Sequence, residues 1–333
     1  MFAVVMGLAC NAFCLYAQAQ TLYMTVLSSR THQWSRSDNP IIGLFVSGDR
    51  GATWEHRGWR EYIRTFQTVE GPDGTLWSAC GNGVLQSTNG GESWRVTTGW
   101  QVTEVLKIAV DTQDPKRVYA ATAYGMIATT DGGETWAFRR NGLRRHFTAD
   151  VCVDRKKGNR LLLATEAGLY VSDDAGLHWR PTSLMEKGIT TIAQDPGDNA
   201  LFWAGTEDDG VWRSTDGGES WSPAHHGFRH RTVYSIVIDD KNPRVIFAGT
   251  YGGGVYRSTD RGGSWQQCSQ GLTNLDVHSL AIVHGSPMLL LAGTLNGGLF
   301  QSTDTGSTWT FNSQPDAQVW GLSVGEGRRS RKQ

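Results

Sequence analysis

The stretch Ser302-Thr-Asp304-Thr-Gly306-Ser-Thr-Trp309 is the last of seven copies of one motif. In each copy, Ser or Thr is followed at fixed spacing by Asp or Asn, then Gly, then Trp. Successive copies are separated by 40, 42, 43, 42, 44 and 44 residues. A nearly constant period in this range is typical of repeat proteins in which each repeat is one supersecondary unit. The copies end at Trp54, Trp94, Trp136, Trp179, Trp221, Trp265 and Trp309.

The motif is expected to close a turn and to begin a strand. An Asp or Asn side chain accepts hydrogen bonds from backbone N–H groups two residues on, and the later glycine tolerates a positive φ. The tryptophan offers a large apolar ring for burial between neighbouring units. We therefore predict a structural role for the acidic or amide position of every copy, which is occupied by Asp49, Asn89, Asp131, Asp174, Asp216, Asp260 and Asp304.

Four short strands are predicted in each repeat. Around the sixth copy, residues 233–238 alternate as a strand, residues 245–249 form a buried run, residues 254–257 form a third strand, and Trp265 begins a fourth. Short strands at regular spacing, separated by Gly, Asp and Pro, indicate an all-β protein. A four-stranded antiparallel unit of about 40–45 residues is the blade of a β-propeller.

The two ends of the chain predict how the ring closes. Residues 22–27 match the second strand of a blade, and residues 318–324 match a first strand with no partners after it. Pairing the two completes a blade and leaves only short, protected sheet edges. The sequence thus predicts a single seven-bladed propeller over residues 20–325, closed by its N- and C-terminal strands.

The seven motifs resemble the Asp boxes of BNR-repeat propellers, and we call them Asp boxes below. That superfamily includes sialidases, two-propeller xyloglucanases, sortilin-type receptors and photosystem II assembly-factor-like propellers. A single ring of this length behind an export signal is most similar to the assembly-factor-like group. The resemblance implies the fold and not the activity, because the Asp box is a folding element in all of these proteins.

Composition and the two ends of the chain indicate where the protein acts and which partners it lacks. The formal net charge of −1 argues against nucleic-acid binding, which needs many unpaired basic groups. Residues 1–19 end in Ala17-Gln18-Ala19, which indicates a secretory signal cleaved near Ala19 and a secreted or periplasmic protein. The apolar stretch is too short to span a bilayer, and lipid attachment at Cys10 or Cys14 fits poorly. Residues 326–333 are expected to form a disordered basic tail.

One face of the ring is the candidate binding surface. The loops between the second and third strands and the connections between blades share this face, and loops on a rigid scaffold are where function concentrates. Arginine binds carboxylate or phosphate groups in a planar geometry, and aromatic rings stack on sugars or peptide side chains. The same residues could equally be solvated loop charges and local packing. The candidate ligand-binding residues are Trp34, Trp59, Arg60, Trp100, Arg144, Arg145, Arg229, Arg231 and Tyr251.

A glycoside hydrolase is the alternative function. Glycoside hydrolysis needs two carboxyl groups facing each other at roughly 5–10 Å, and the loop-face candidates are Glu61, Asp208, Asp209 and Asp276. The aromatic-Arg-Ile-Pro motif of sialidases is absent before the first Asp box, and xyloglucanases use two propellers where this sequence has one. The residues therefore favour a non-enzymatic protein-binding or assembly scaffold.

No cofactor or metal site is expected. His225, His226 and His230 lack an evident set of further zinc ligands, and the run Glu207-Asp208-Asp209 lacks the loop pattern of a calcium site. The expected partner is a protein or a glycan on the loop face, without nucleic acid and without an integral membrane segment. A monomer is expected.

Overall fold

A computed structural model describes residues 20–29, 42–58 and 63–326 of the chain. All regular structure in these residues is β-strand, arranged in seven four-stranded antiparallel sheets. No helix in this part of the chain has the length and apolar character needed to cross a bilayer. The predicted signal segment and residues 327–333 of the predicted tail lie outside the described residues, whereas Glu326 is the last residue of a strand.

Each sheet is one blade, numbered here by its Asp box. Blade 1 contains β28 (Ala317–Glu326), β1 (Gln20–Ser29), β2 (Gly43–Ser47) and β3 (Glu55–His56). Blades 2 to 4 contain β4 (Thr65–Glu70), β5 (Leu76–Cys80), β6 (Gly83–Ser87), β7 (Arg95–Val96), β8 (Val105–Val110), β9 (Val118–Thr122), β10 (Gly125–Thr129), β11 (Ala137–Arg139), β12 (Thr148–Val153), β13 (Leu161–Thr165), β14 (Gly168–Ser172) and β15 (Arg180–Met185). Blades 5 to 7 contain β16 (Ile189–Gln194), β17 (Phe202–Thr206), β18 (Val211–Ser214), β19 (Ser222–Pro223), β20 (Val233–Ile238), β21 (Ile246–Thr250), β22 (Gly254–Ser258), β23 (Gln266–Gln267), β24 (Val277–Val283), β25 (Leu289–Thr294), β26 (Gly298–Ser302) and β27 (Thr310–Ser313).

Within each blade, the four strands lie side by side in order from the centre of the ring to its outer edge, and we call them A to D in that order. Every strand A contacts the strand A of both neighbouring blades, so the seven A strands surround a central channel. Strands B and C are almost entirely buried, as their near-continuous apolar sequences require. Strand D is short and exposed in most blades, which limits the unpaired edge that each sheet presents to solvent.

The predicted closure of the ring is confirmed. β1 pairs with β28 in antiparallel register, with Leu22 opposite Val324 and Met24 opposite Leu322. Leu22 and Met24 are buried in a core that also contains Val319 and reaches Leu291 of blade 7. The first and last strands of the chain therefore belong to the same blade, and that blade packs against blade 7.

The Asp boxes form the turns between strands C and D, with one difference from the predicted bonding. In blade 7, Asp304 Oδ1 accepts the backbone N–H of Thr308 at 2.8 Å, four residues on and not two. The hydroxyl of Ser302 reaches the nearer amide instead and accepts the N–H of Gly306 at 2.9 Å. Gly306 has a φ of 84°, in the left-handed region that a glycine adopts without strain.

The box tryptophans connect each blade to the one before it. Trp265 of blade 6 is buried, and its Nε1–H donates to the carbonyl oxygen of Ala224 in the connection leaving blade 5 at 2.8 Å. Trp309 makes the same bond to Cys268 O at 2.8 Å. At the closure, Trp54 Nε1–H donates to Asn312 Oδ1 of blade 7 at 3.1 Å. The predicted burial of the box tryptophans between units is confirmed for Trp265 and Trp309, whereas Trp54 is only partly buried.

The three cysteines in the described residues, Cys80, Cys152 and Cys268, are all free. They belong to different blades, so no disulfide contributes to the ring. Burial raises the pKa of Cys80 to about 12, which keeps this thiol protonated and unreactive. In the described residues, the blades are therefore joined by non-covalent contacts only.

Acid should destabilise the protein through its Asp boxes. The hydroxyl of Thr308 lowers the pKa of Asp304 to about 2, and equivalent hydroxyls lower those of Asp49 and Asp260 to about 2. A pKa that is lower in the folded state gives stability that is present above the unfolded value and is lost as pH falls through the folded value. We expect the free energy of unfolding to fall between about pH 4 and about pH 2. Urea denaturation at a series of pH values measures this.

Asp304→Asn is the matched variant for that experiment, because Asn89 already occupies the equivalent position in blade 2. Asn89 Oδ1 accepts the N–H of Ser93 at 3.0 Å, so an amide fits the turn. The variant should fold, and its stability should decline less between pH 4 and pH 2 than that of the wild type. An unchanged decline would show that the boxes do not carry the acid sensitivity.

Replacing a box tryptophan should weaken the contact between two blades. Trp265→Phe removes the donor to Ala224 O and part of the buried ring, which should cost about 2 kcal/mol in the free energy of unfolding. Trp100→Phe is the control, because Trp100 is 87% exposed and should change stability by less than about 0.5 kcal/mol. Equal effects of the two substitutions in urea denaturation would contradict the assigned role.

Candidate functional site

The face that carries the B–C loops and the connections from strand D to the next strand A is called the loop face. Its backbone is held by a bond that recurs in six blades. In blade 6, the N–H of Tyr251 donates to Thr232 O at 3.0 Å, and in blade 5 the N–H of Glu207 donates to Gly188 O at 3.0 Å. Each bond joins the start of a B–C loop to the connection that enters the same blade. The loops of this face are therefore linked to one another by backbone hydrogen bonds and form one ordered platform.

Buried threonines at the ends of the B strands hold the B–C turns through hydrogen bonds. Strand B ends in Thr in blades 3 to 7, and in blade 6 Thr250 Oγ1 donates to Gly254 O at 2.9 Å. Thr294 makes the same bond to Gly298 O at 2.9 Å in blade 7. Since these hydroxyls are fully buried and paired, they fix the loops without offering a group to a ligand.

Every strand A carries a β-bulge at one residue near its start, where the chain leaves the loop face. The register shift lies between the neighbours of that residue in all seven blades. A bulge leaves one residue unpaired and re-aims its side chain. The seven bulge residues lie at the loop-face end of the A strands that surround the channel, which we call the channel mouth: Phe66, Leu106, Ala149, Thr190, Tyr234, His278 and Trp320.

Four consecutive blades place aromatic rings at the channel mouth. The ring centroids of Tyr234 and His278 are 4.9 Å apart, those of His278 and Trp320 are 3.9 Å apart, and those of Trp320 and Phe66 are 5.8 Å apart. We call these four residues the aromatic arc. Tyr251 of the blade 6 B–C loop meets Tyr234 edge-on at 6.4 Å and extends the arc onto the loop face. The mouth therefore has an aromatic half and a half of smaller residues.

His278 is uncharged at neutral pH. Burial lowers its pKa to about 4, and the positive charge of Lys107 acts in the same direction, against the opposing effect of its bond to the Trp320 backbone. The Nδ1 atom lies 2.9 Å from Trp320 O, and a carbonyl oxygen can only accept. In the neutral ring the proton is therefore on Nδ1, and Nε2 is an acceptor.

Polar residues lie directly behind the bulges and tie the A strands together. Asp150 Oδ2 accepts the N–H of Ile192 in the next blade at 3.0 Å, and Gln67 Oε1 accepts the N–H of Ile108 at 2.8 Å. Burial raises the pKa of Asp150, and the charge of Lys107 opposes that effect. Lys107 and Asp150 hold the same position in blades 3 and 4, so the channel behind the mouth contains one cation beside one carboxyl group.

Two predicted arginines, Arg144 and Arg145, have acidic partners. Arg144 Nη1 lies 2.9 Å from Glu186 Oε1, and Arg145 Nη1 lies 3.9 Å from Glu166 Oε2. Both pairs are largely exposed, and such pairs are typically worth less than 1 kcal/mol. Both guanidinium groups lie on the loop face, and breaking either ion pair would therefore cost little free energy.

The other two described arginines, Arg229 and Arg231, lie in the connection from blade 5 to blade 6. Arg231 Nη1 lies 3.7 Å from Asp209 Oδ1, and Lys187 Nζ lies 2.6 Å from Asp209 Oδ2. Arg229 is exposed and, among the described residues, has no ion pair. The basic surface predicted from the sequence is therefore broken up by carboxylates. Arg60 lies outside the described residues.

Exposed apolar side chains mark the loop face. Trp100 is 87% exposed, and Tyr251 is 53% exposed, as expected for two of the predicted ligand-binding residues. Tyr124, Phe147 and Leu275 are exposed on the same face and were not predicted as candidates. Trp34 and Trp59 lie outside the described residues and stay predictions.

Two of the predicted catalytic carboxylates are held in structural contacts. The bond from Lys187 lowers the pKa of Asp209, so this carboxylate stays ionised and is poorly suited to be a general acid. Asp276 Oδ1 accepts the N–H of Gly252 at 2.9 Å. Asp208 is exposed, and Glu61 lies outside the described residues.

One group in the described residues has the geometry to approach a metal ion, and it lies away from the loop face. Asp239, Asp240 and His284 belong to the A–B turns of blades 6 and 7. The His284 ring pairs with Asp240, and Asp239 Oδ1 accepts the N–H of Lys241 at 2.9 Å. These contacts account for the group without an ion.

The aromatic arc was missed in the sequence, although a signal for it is present. The seven bulge positions, from Phe66 to Trp320, follow one another every 40 to 44 residues, the same period as the Asp boxes. Aligning the repeats on strand A would have shown four consecutive aromatic rings. The alternation of a regular strand hides them, because the bulge shifts the face that each residue occupies.

The comparisons with known proteins agree with this architecture. A family model described as sortilin, neurotensin receptor 3, matches residues 209–320. The GH74 enzyme of Niastella koreensis is 19% identical at a TM-score of 0.60, over 87% of this chain and 47% of its own. YCF48 of Cyanidioschyzon merolae is 16% identical at a TM-score of 0.57, over 77% of this chain and 86% of its own. A structure of YCF48 bound to a D1 peptide is 14% identical at a TM-score of 0.54, over 78% and 92%.

These matches bear on the fold and not on the activity. No curated protein sequence matches the chain. The chain spans less than half the length of the GH74 enzymes that it matches. The solved propellers and the seven sheets together show that the chain folds as a seven-bladed propeller, and each blade carries one of the Asp-box motifs.

Proposed function

We propose that this protein binds a protein partner on its loop face and acts as a scaffold without catalytic activity. The observation that carries the proposal is where exposed apolar side chains lie. Five of the nine large apolar side chains exposed in the described residues are on the loop face: Trp100, Tyr124, Phe147, Tyr251 and Leu275. Exposed apolar and aromatic side chains with polar residues around them are typical of interaction surfaces.

The rigidity of the loop face supports the same function. The recurrent bonds between B–C loops and connections, such as Tyr251 N–H to Thr232 O, fix the backbone before a partner arrives. A surface that is already ordered loses little conformational entropy on binding. The platform can therefore bind a flexible polypeptide segment without itself being reorganised.

The charged residues favour a partner segment that contains carboxylates. Arg229 has no ion pair within the described part of the chain, and Arg231 is 3.7 Å from its nearest carboxylate oxygen. Arg144 and Arg145 can exchange weak exposed pairs for a partner carboxylate, which a guanidinium group binds with two parallel bonds. The solved YCF48 propeller in complex with a D1 peptide supports a peptide as the kind of ligand, by analogy of fold.

A carbohydrate-active enzyme is the second candidate, because GH74 enzymes are among the similar structures. It would use Asp208 or Asp209 together with Glu61 or Asp276. The ion pairs of Asp209 and the backbone bond of Asp276 oppose this function. Hydrolysis assays with xyloglucan and sialosides should show no turnover. Turnover that Asp209→Ala abolishes would establish the enzyme instead.

Export is part of the proposal. A cleavable signal ending near Ala19 would place the loop face outside the cytoplasm. The mature protein, isolated from a bacterial host, should then begin at or near Gln20 when its N-terminus is sequenced. A chain that keeps its first 19 residues and stays in the cytoplasm would contradict export.

Binding should depend on the exposed rings of the loop face. On an array of random peptides, we expect the wild type to select a subset, and Trp100→Ala combined with Tyr251→Ala should weaken that binding. Truncation of an aromatic anchor costs about 2 kcal/mol, or roughly 30-fold in the dissociation constant. The readout is the affinity of the selected peptides measured by calorimetry.

The control has the same chemistry in another place. Leu177 and Phe311 are 47% and 50% exposed, in an Asp box and on an outer strand D. Leu177→Ala combined with Phe311→Ala should leave peptide affinity unchanged. A larger loss in this control than in the loop-face variant, or no peptide selection by the wild type, would overturn the proposal.

A further inference from the structure

We infer that the mouth of the central channel is a separate subsite that holds one uncharged aromatic side chain of the bound partner. The inference rests on the proposed function, since the partner is the source of that side chain. It concerns the aromatic arc, which is not among the exposed loop-face residues described above.

The geometry of the arc is that of a partly open wall. Tyr234, His278 and Trp320 are all partly exposed, while Phe66 is buried behind Trp320 and meets it edge-on. The rings come from blades 6, 7, 1 and 2, which follow one another around the ring, so the arc curves along one side of the mouth. Aromatic pairs in stacked and edge-on arrangements gain attraction beyond the area they bury. An incoming ring therefore gains more from this wall than an aliphatic chain does.

The opposite side of the mouth carries smaller side chains. Leu106, Ala149 and Thr190 occupy the bulge positions of blades 3, 4 and 5, where the other four blades have large rings. The Thr190 hydroxyl is already bonded to the carbonyl oxygen of Val233 in the next blade. The side chains of this half are small and offer no free side-chain donor, so an apolar ring placed there would meet no competing polar side chain.

The charges behind the mouth exclude a cationic side chain. Lys107 lies one residue beyond Leu106 along strand A, and its positive charge acts on both His278 and Asp150. Asp150 Oδ2 accepts the N–H of Ile192, and the charge of Lys107 already acts on this carboxyl group, so Asp150 offers little attraction to a second cation. The negative faces of the aromatic rings attract a cation, and the positive charge of Lys107 opposes that attraction. We therefore expect the subsite to prefer a neutral ring to a cationic one.

Tyr251 connects the subsite to the rest of the loop face. Its ring meets Tyr234 edge-on at 6.4 Å and is 53% exposed. A partner segment that lies across the blade 6 loop can thus place one side chain in the mouth while its neighbours contact the loop face. The channel mouth then acts as an anchor for the proposed interface.

Indole and tryptamine test the subsite without knowledge of the partner, since they share one ring and differ in an ammonium group. Saturation-transfer NMR and calorimetry on the full chain should show indole binding in the millimolar range and tryptamine binding at least tenfold weaker. Trp320→Ala should weaken indole binding at least tenfold, and Phe311→Ala, on an outer strand D away from the loop face, should leave it unchanged. Lys107→Met should reduce the difference between the two probes while indole affinity stays the same.

A second variant guards against a folding defect, because Trp320 belongs to the closing strand β28. Leu106→Trp adds a large ring to the half of the mouth with smaller side chains, from a different blade, and should abolish indole binding with the thermal midpoint retained. Absence of indole binding to the wild type, or equal binding by Leu106→Trp, would overturn the inference. So would tryptamine binding as tightly as indole in the wild type.

The indole experiments and the peptide array test the subsite and the proposed function separately. Indole binding together with no peptide selection would leave the subsite standing and remove the proposed protein partner. Peptide selection that Trp320→Ala and Leu106→Trp leave unchanged would support the loop face and overturn the subsite.

Discussion

The pairing of β1 with β28 is the constraint on which the rest of the structure depends. It joins residues about 300 positions apart, with Leu22 opposite Val324, and converts a row of blades into a ring. Trp320 lies in β28 and Phe66 in the blade that follows, so the aromatic arc spans the point of closure. Without closure, β28 would have no sheet, two blade faces would be exposed, and the channel mouth would not exist.

Two kinds of interaction hold the blades, and their magnitudes assign them different roles. Burial of a large aromatic side chain such as Trp265 contributes about 2–3 kcal/mol, whereas a hydrogen bond in an exposed Asp box contributes about 1 kcal/mol net. Each box tryptophan therefore contributes more to the attraction between blades than a hydrogen bond of its Asp box does. The boxes fix the geometry of the C–D turn, so that each tryptophan meets the blade before it.

The fold could be predicted from the sequence because its signals are local and repeated. Seven Asp boxes at one period specify the blade, and the strand patterns of residues 22–27 and 318–324 specify the closure. The site could be predicted only in part. Trp100 and Tyr251 are exposed on the loop face, as their position in a connection and in a B–C loop indicates.

The remaining features of the site depend on contacts that sequence position does not show. The partner of Arg144 is Glu186, 42 residues away in the next connection, so a loop that is basic in sequence is nearly neutral in space. The arc depends on a bulge in each strand A, which a two-residue alternation does not reveal. Trp34, Trp59, Arg60 and Glu61 lie outside the described residues and stay predictions.

Hydrogen exchange on the full chain and on a chain that ends at residue 316 tests the closure most directly. The shorter chain lacks only β28 and the tail. If the ring depends on the terminal strand, amides of β1, β4 and β24 should lose their protection together, and the loss should spread to the other blades. Native protection of β1 and β4 in the shorter chain would contradict the account.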